Sequence, residues 1–327
     1  MITVPTTLVL GAGASKPYGF PSGHELRQLL CSPAALNGMY QCGFDQRDLE
    51  AFSSAFLKSG MPSIDAFLAR RGKHKVGSLT DATYADIGKA AIAYRLIQCE
   101  RPESIHVLPD DHWYQYLWSF ISDSLDSFGE NKLHIITFNY DRSLEYYLLT
   151  SLQHSFGITA QEAAEYLQKI PILHVYGQLA TLPELPLQGY ETRRYHPDVS
   201  IPAYIEVAAR GIRVIDESRD DDEVFEKAYS YLRDAERICF LGFGFDPTNV
   251  RRLRIDELVQ HARLKADLRT RVFATTLGLE AAERESIIHQ LNTQKTVEYT
   301  HHSRINIESH GGMRAERYLR ATGVFIS

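Results

Sequence analysis

Residues 6–15 read TTLVLGAGAS, a β-rich apolar run that ends abruptly in glycines. Threonine, leucine and valine suit an extended, packed backbone, whereas Gly11 and Gly13 admit conformations that a Cβ resists. Downstream, SGHELRQLL at 22–30 opens with Ser22 and Glu25 at capping-box spacing, so the unit reads strand, loop, helix. A glycine loop in that setting lets backbone approach a phosphate at a helix start. The plainer reading is a tight turn with no ligand. The dinucleotide fingerprint lacks its third glycine, with Lys16 in that place, and no acidic residue closes a second strand about 20 residues on, so an ordinary dehydrogenase is not expected.

Outward from this unit, residues 31–130 carry only helical signals. The stretches 45–60, 63–71, 81–98 and 110–128 each space apolar residues by three and four, with Asp or Ser near the start. Trp113 and Trp118 in the last of these read as packing or oligomer surface. Strand signals resume at KLHIITFNYD (132–141), then PILHVYG (171–177), GIRVI (211–215), RICFLGFGFD (237–246) and TRVFATTL (270–277), with helical stretches between most of them. Strands alternating with helices predict an α/β fold with a Rossmann-like, mostly parallel sheet, whose ligands bind at the carboxyl ends of the strands. The expected division is 1–30 with 131–327 as the nucleotide-binding domain, and 31–130 as an inserted all-helical subdomain. RDDDE at 219–223 reads as the solvated start of a helix.

A formal charge of -6 gives no general reason to bind nucleic acid directly. No apolar run approaches the roughly 20 residues that span a bilayer, and the N-terminus has no basic stretch typical of a signal peptide. Cys31, Cys42, Cys99 and Cys239 form no C-x-x-C pair, which argues against structural zinc. His301, His302 and His310 lie in a polar C-terminal region with no clear ligand partner. A cytoplasmic, metal-free protein with no membrane attachment is the expectation.

The chemistry-bearing candidates follow the strands. In TFNYD, Asn139 can donate and accept at once, which suits a ribose hydroxyl or a water, while Asp141, read by itself, is more simply a helix cap. In LGFGFDPTN, Gly242 and Gly244 flank Phe243, and Asn249 sits beyond Pro247. This second backbone cradle suits a ligand long enough to reach two strand ends; a loop shaped by proline is the alternative. In ILHVYGQL (172–179), His174 and Tyr176 are two apart, which in a strand places them on one face. His174 is then either a core histidine bonded to a carbonyl or a group facing a reaction pocket.

The order GAGAS, GFPSG, TFNYD, a histidine before a glycine, then LGFGFDPTN resembles the sirtuin NAD-binding domain. Within that resemblance, it looks more like the sirtuin-like NAD-cleaving proteins of bacterial anti-phage defence. The resemblance implies that Gly11, Ala12, Gly13, Ala14 and Ser15 cradle the NAD diphosphate, with Pro21 in the following loop. It places Asn139 at the catalytic ribose beside Thr137 and Asp141, and Gly242, Phe243 and Gly244 at the second cradle; Tyr176, Gly177 and Asn249 complete the expected NAD-binding set. Three features depart from protein-deacylating sirtuins. The four-cysteine zinc ribbon is missing, GFPSGHE replaces the family's G-I-P-D-F-R loop, and Tyr176 takes the place of the histidine that directly precedes the glycine.

The implied activity is NAD hydrolysis to nicotinamide and ADP-ribose, with NAD as substrate, no metal, and abortive infection as the setting. Nicotinamide leaves as a neutral pyridine, so no general acid is needed, and Asn139 and His174 are the expected catalytic pair. In that scheme His174 accepts a proton and Tyr176 orients it or the ribose. A homo-oligomer, and a partner such as a HerA-type ATPase, are the expected controls. The alternatives are an NAD or ADP-ribose sensor without turnover, which follows if Tyr176 holds the catalytic place and His174 points at a carbonyl, and an NAD-dependent deacylase.

Overall fold

A computed structural model describes every residue except 78–80, 107–110, 215–222, 256, 259–269, 292–304, 308–311 and 327. Among the described residues the strands are β1 (Thr6–Leu10), β2 (Leu133–Thr137), β3 (Ile172–His174), β4 (Arg237–Leu241), β5 (Arg271–Ala274) and β6 (Ile305–Ile307). They form one six-stranded sheet in the order β3-β2-β1-β4-β5-β6, and every neighbouring pair is parallel. Every residue of β1 is buried, as expected of a central parallel strand covered on both faces. The strand order reverses between β1 and β4, which makes that junction the switch point of a Rossmann-like α/β fold.

Register fixes what emerges there. Leu10 lies opposite Thr137 on one side and Leu241 on the other. Gly11, Phe138 and Gly242 therefore leave the sheet at one level. Two further hydrogen bonds carry the ladder into these loops: Phe138 N donates to Leu10 O at 2.9 Å and Gly11 N to Leu241 O at 3.0 Å.

Between β1 and β2 the described elements are helices, including Gly23–Leu30, Gln46–Lys58, Ile64–Arg71, Tyr84–Ile97 and Trp113–Ile121. Ser22 caps the first through a complete capping box with Glu25. An aromatic cluster of Phe52, Phe56, Phe67 and Tyr84 forms the core of this stretch, with Phe56 and Phe67 4.9 Å apart. A Cβ on Gly88 would lie 2.7 Å from a Leu68 methyl, so the absence of one lets helices Ile64–Arg71 and Tyr84–Ile97 approach closely. Helix Tyr84–Ile97 also packs on Pro202–Gly211, which joins the helical stretch to the chain beyond β3. Among the described residues no helix is long and apolar enough to cross a membrane.

Three expectations need correction. Of GIRVI, residue 215 lies outside the described residues and the rest is not a sheet strand: Gly211 closes a helix and Ile212 makes only an isolated antiparallel bridge to Gly177. The strand in ILHVYGQL stops at His174, and the chain then turns, with Gly177 at φ 74°. Asp141 is not itself the cap residue of helix Ser143–Phe156, a place taken by Arg142, although the Asp141 carboxylate accepts from Ser143 N at 3.1 Å. Of RDDDE, 219–222 lie outside the described residues and Glu223 begins a helix; His301, His302 and His310 also lie outside them. Three residues are too few to give β6 a period-two signal in the sequence.

Candidate functional site

A cleft of about 640 Å³ opens at the switch point, a volume usual for small-molecule sites. Gly11, Ala12 and Gly13 line it from the loop after β1, and Gly242, Phe243, Gly244 and Asn249 from the loop and helix after β4. The two glycine loops meet directly, since Gly13 N donates to Gly242 O at 3.1 Å. A Cβ on Gly11 would lie 2.5 Å from Gly242 O, and one on Gly242, at φ 57°, would lie 2.1 Å from Ala14 N. These glycines are thus required by loop-on-loop packing. Gly244, where an added Cβ would meet nothing within 4 Å, leaves open space in the cleft instead.

The helical turn after Gly11 is short, Ala12–Ser15, and runs into a 3-10 turn, Lys16–Tyr18. Its support comes from the helical stretch. The buried Trp113 indole donates to Ala14 O at 2.8 Å, which resolves its role as packing, and Tyr18 stacks on Tyr114 with ring centroids 3.7 Å apart. Trp118 is partly buried against the same core.

Asn139 lies beneath both loops. Its backbone N–H donates to Thr137 Oγ1 at 3.1 Å, and its side-chain Nδ2 donates to Gly11 O at 2.9 Å and to Ser15 Oγ at 3.0 Å. Thr137 and Ser15 therefore act on Asn139 from within the protein and do not line the large cleft. The carboxamide borders that cleft and also a smaller one of about 90 Å³, which Pro21, Ser15 and Asp141 help to line. Ala12, Asn139 and Phe138 border both, so the small cleft adjoins the large one. Burial pushes the Asp141 carboxyl up, against hydrogen bonds from Ser143 and Ser15. Ala14 is buried in the core.

His174 does not reach either cleft. Its Nδ1 lies 2.9 Å from the Asn139 carbonyl oxygen and its Nε2 2.5 Å from Glu145 Oε1. Burial disfavours its charge, but the Glu145 carboxylate and the Asn139 carbonyl outweigh burial and raise its pKa. Both ring nitrogens face protein acceptors, so neither is turned toward a ligand in the clefts. The expected proton acceptor is thus held by a carbonyl and a carboxylate away from both clefts, and β3 ends at this residue. Past that end the chain turns, so Tyr176 faces a different space.

Tyr176 does line the large cleft, where its hydroxyl donates to Asn249 Oδ1 at 2.5 Å and accepts from Arg252 Nη1 at 2.7 Å. Burial pushes its phenol well up, so it stays protonated. Gly177 serves the turn: a Cβ there would lie 2.1 Å from Gly211 O. The structure adds cleft residues that the motifs did not indicate, chiefly Asp65 from helix Ile64–Arg71 and Arg252 from helix Pro247–Arg252. SIDAFLARR reads only as an amphipathic helix, and nothing local says that its first turn reaches the strand ends.

Among the described residues no group of three or more His, Cys, Asp or Glu side chains is placed to hold a metal ion. The fold and this cleft define a Rossmann-like α/β protein with its candidate site at the switch point. No protein-family model and no curated protein matches the chain.

Proposed function

We propose that the cleft binds NAD and cleaves its nicotinamide–ribose bond, releasing nicotinamide and ADP-ribose. The observation that carries this reading is Asn139, whose carboxamide is fixed by Gly11 and Ser15 and which borders both the large cleft and the smaller one. A dinucleotide laid across the two glycine loops would bring one ribose to Asn139 and its nicotinamide to the smaller space. The cleft then has to hold a strained pose and stabilise an oxocarbenium-like ribose, which fixed dipoles do well. His174 supports the site from outside by holding the Asn139 carbonyl, while Tyr176 and Asn249 face the ligand. The sirtuin-like resemblance extends the proposal to NAD depletion in cytoplasmic anti-phage defence, with self-association or an ATPase partner as the control.

Free nicotinamide, followed after adding NAD alone, tests the reading. Wild type is expected to release it, and Asn139→Ala to lose roughly 10²-fold through misplacement of the ribose. Release that requires an acylated peptide points to a deacylase. Tight NAD binding with no release identifies a sensor, a second reading favoured by one specific observation: His174 is turned onto a carbonyl and a carboxylate, away from the cleft.

A further inference from the structure

With His174 committed elsewhere, the cleft needs another group to meet positive charge on the ribose. We infer that Asp65, delivered by the helical stretch between β1 and β2, is the catalytic carboxylate of this site. This rests on the reading that the cleft cleaves NAD.

Asp65 borders the large and the small cleft, as Asn139 does, and Ser63 beside it does the same. Its position is held from the strand side. The Tyr140 hydroxyl, one residue beyond Asn139, donates to Asp65 Oδ1. The same TFNYD loop thus fixes the amide and the carboxylate together. Burial pushes the Asp65 carboxyl up, while Tyr140 and the charge of Arg252 pull it down without offsetting burial. A carboxylate kept at a cleft where burial dominates its pKa is costly to retain for stability alone. The titratable groups around it are Tyr140 after β2, Tyr176 after β3, and Asp246 and Arg252 after β4, with Lys16, His24, Asp111 and Arg314 also lining the cleft.

The step balances with water alone. The bond from ribose C1′ to the pyridinium nitrogen breaks, and its electron pair leaves with nicotinamide, which becomes neutral. Positive charge spreads over C1′ and the ring oxygen, opposite the Asp65 carboxylate. Water then adds to C1′, and its proton passes to Asp65 and on to solvent. The sum is NAD and water giving nicotinamide, ADP-ribose and a proton.

The test measures both nicotinamide release and NAD affinity by calorimetry, in wild type, Asp65→Asn and Tyr140→Phe. Asp65→Asn should keep NAD affinity within about threefold and lose about 10²–10⁴-fold in release. In wild type, activity should fall as pH drops through the Asp65 pKa. Tyr140→Phe removes a donor to the carboxylate, so it should move that acid limb to higher pH, a change that a merely structural role would not produce. If wild type releases nicotinamide and Asp65→Asn matches it, the role of Asp65 is overturned and the cleavage reading stands. If Asp65→Asn loses binding along with release, Asp65 is a binding group and the catalytic assignment is overturned. If wild type binds NAD and releases nothing, the cleavage reading falls and takes this role with it.

Discussion

At the residue scale, His174 shows how a polar group in an apolar stretch is decided by what lies one layer away. The pair with Glu145 is nearly dry, with side chains 7% and 12% exposed. The folded pKa of His174 is raised above its unfolded value near 6.5. Such a group stabilises the fold fully below the unfolded pKa, and that stabilisation is lost as pH rises through the folded pKa. Wild type should therefore exceed Glu145→Gln in denaturant midpoint most clearly at mildly acid pH, and the gap should shrink as pH rises above about 6.5. A gap that does not change with pH would show that His174 is not charged in the folded protein.

At the element scale, the two glycine loops act as one interlocked unit. Gly242→Ala would force a Cβ into backbone at 2.1 Å while holding φ at 57°. That substitution should cost at least about 1–3 kcal/mol in denaturant unfolding. Gly244→Ala meets nothing within 4 Å and has no positive φ, so its stability should stay within about 0.5 kcal/mol of wild type. Gly244 nevertheless lines the cleft, so if the cleft binds NAD as proposed, its substitution should weaken NAD affinity. Equal stability losses at both positions would contradict the interlocking. The same loops mark how far sequence reasoning reached. GAGAS and LGFGF were legible as turns after strands, because glycine after an apolar run is a local signal. That the two turns touch each other was not, because it depends on β1 and β4 becoming neighbours across more than two hundred residues of chain.

At the scale of the whole molecule, the parallel α/β sheet was legible from alternating strand and helix patterns, and Asn139 from its place at a strand end. The arrival of Asp65 was not, since helix periodicity gives a buried face without naming what it will cover. A buried ion network shows how that placement is secured. Glu100, just past helix Tyr84–Ile97, pairs with Arg142 at 2.8 Å and also with Arg193, and all three side chains are almost wholly buried. Arg142 further donates to the carbonyls of Thr181 at 3.1 Å and Arg193 at 2.7 Å. It directly follows Asp141 in the loop that carries Asn139, so one residue ties the helical stretch, that loop and the 181–194 segment together. Glu100→Gln would leave two buried guanidinium groups facing no carboxylate, and breaking such a pair costs about 3–5 kcal/mol. Chemical denaturation should show a loss of that size. On the proposed reading, NAD affinity should also fall at temperatures where the variant is still folded, because the loop that carries Asn139 would lose its tie to the helical stretch that carries Asp65. A loss below about 1 kcal/mol would mean that the network adds nothing beyond local packing, and unchanged affinity in a folded but destabilised variant would mean that the helical stretch is placed without it.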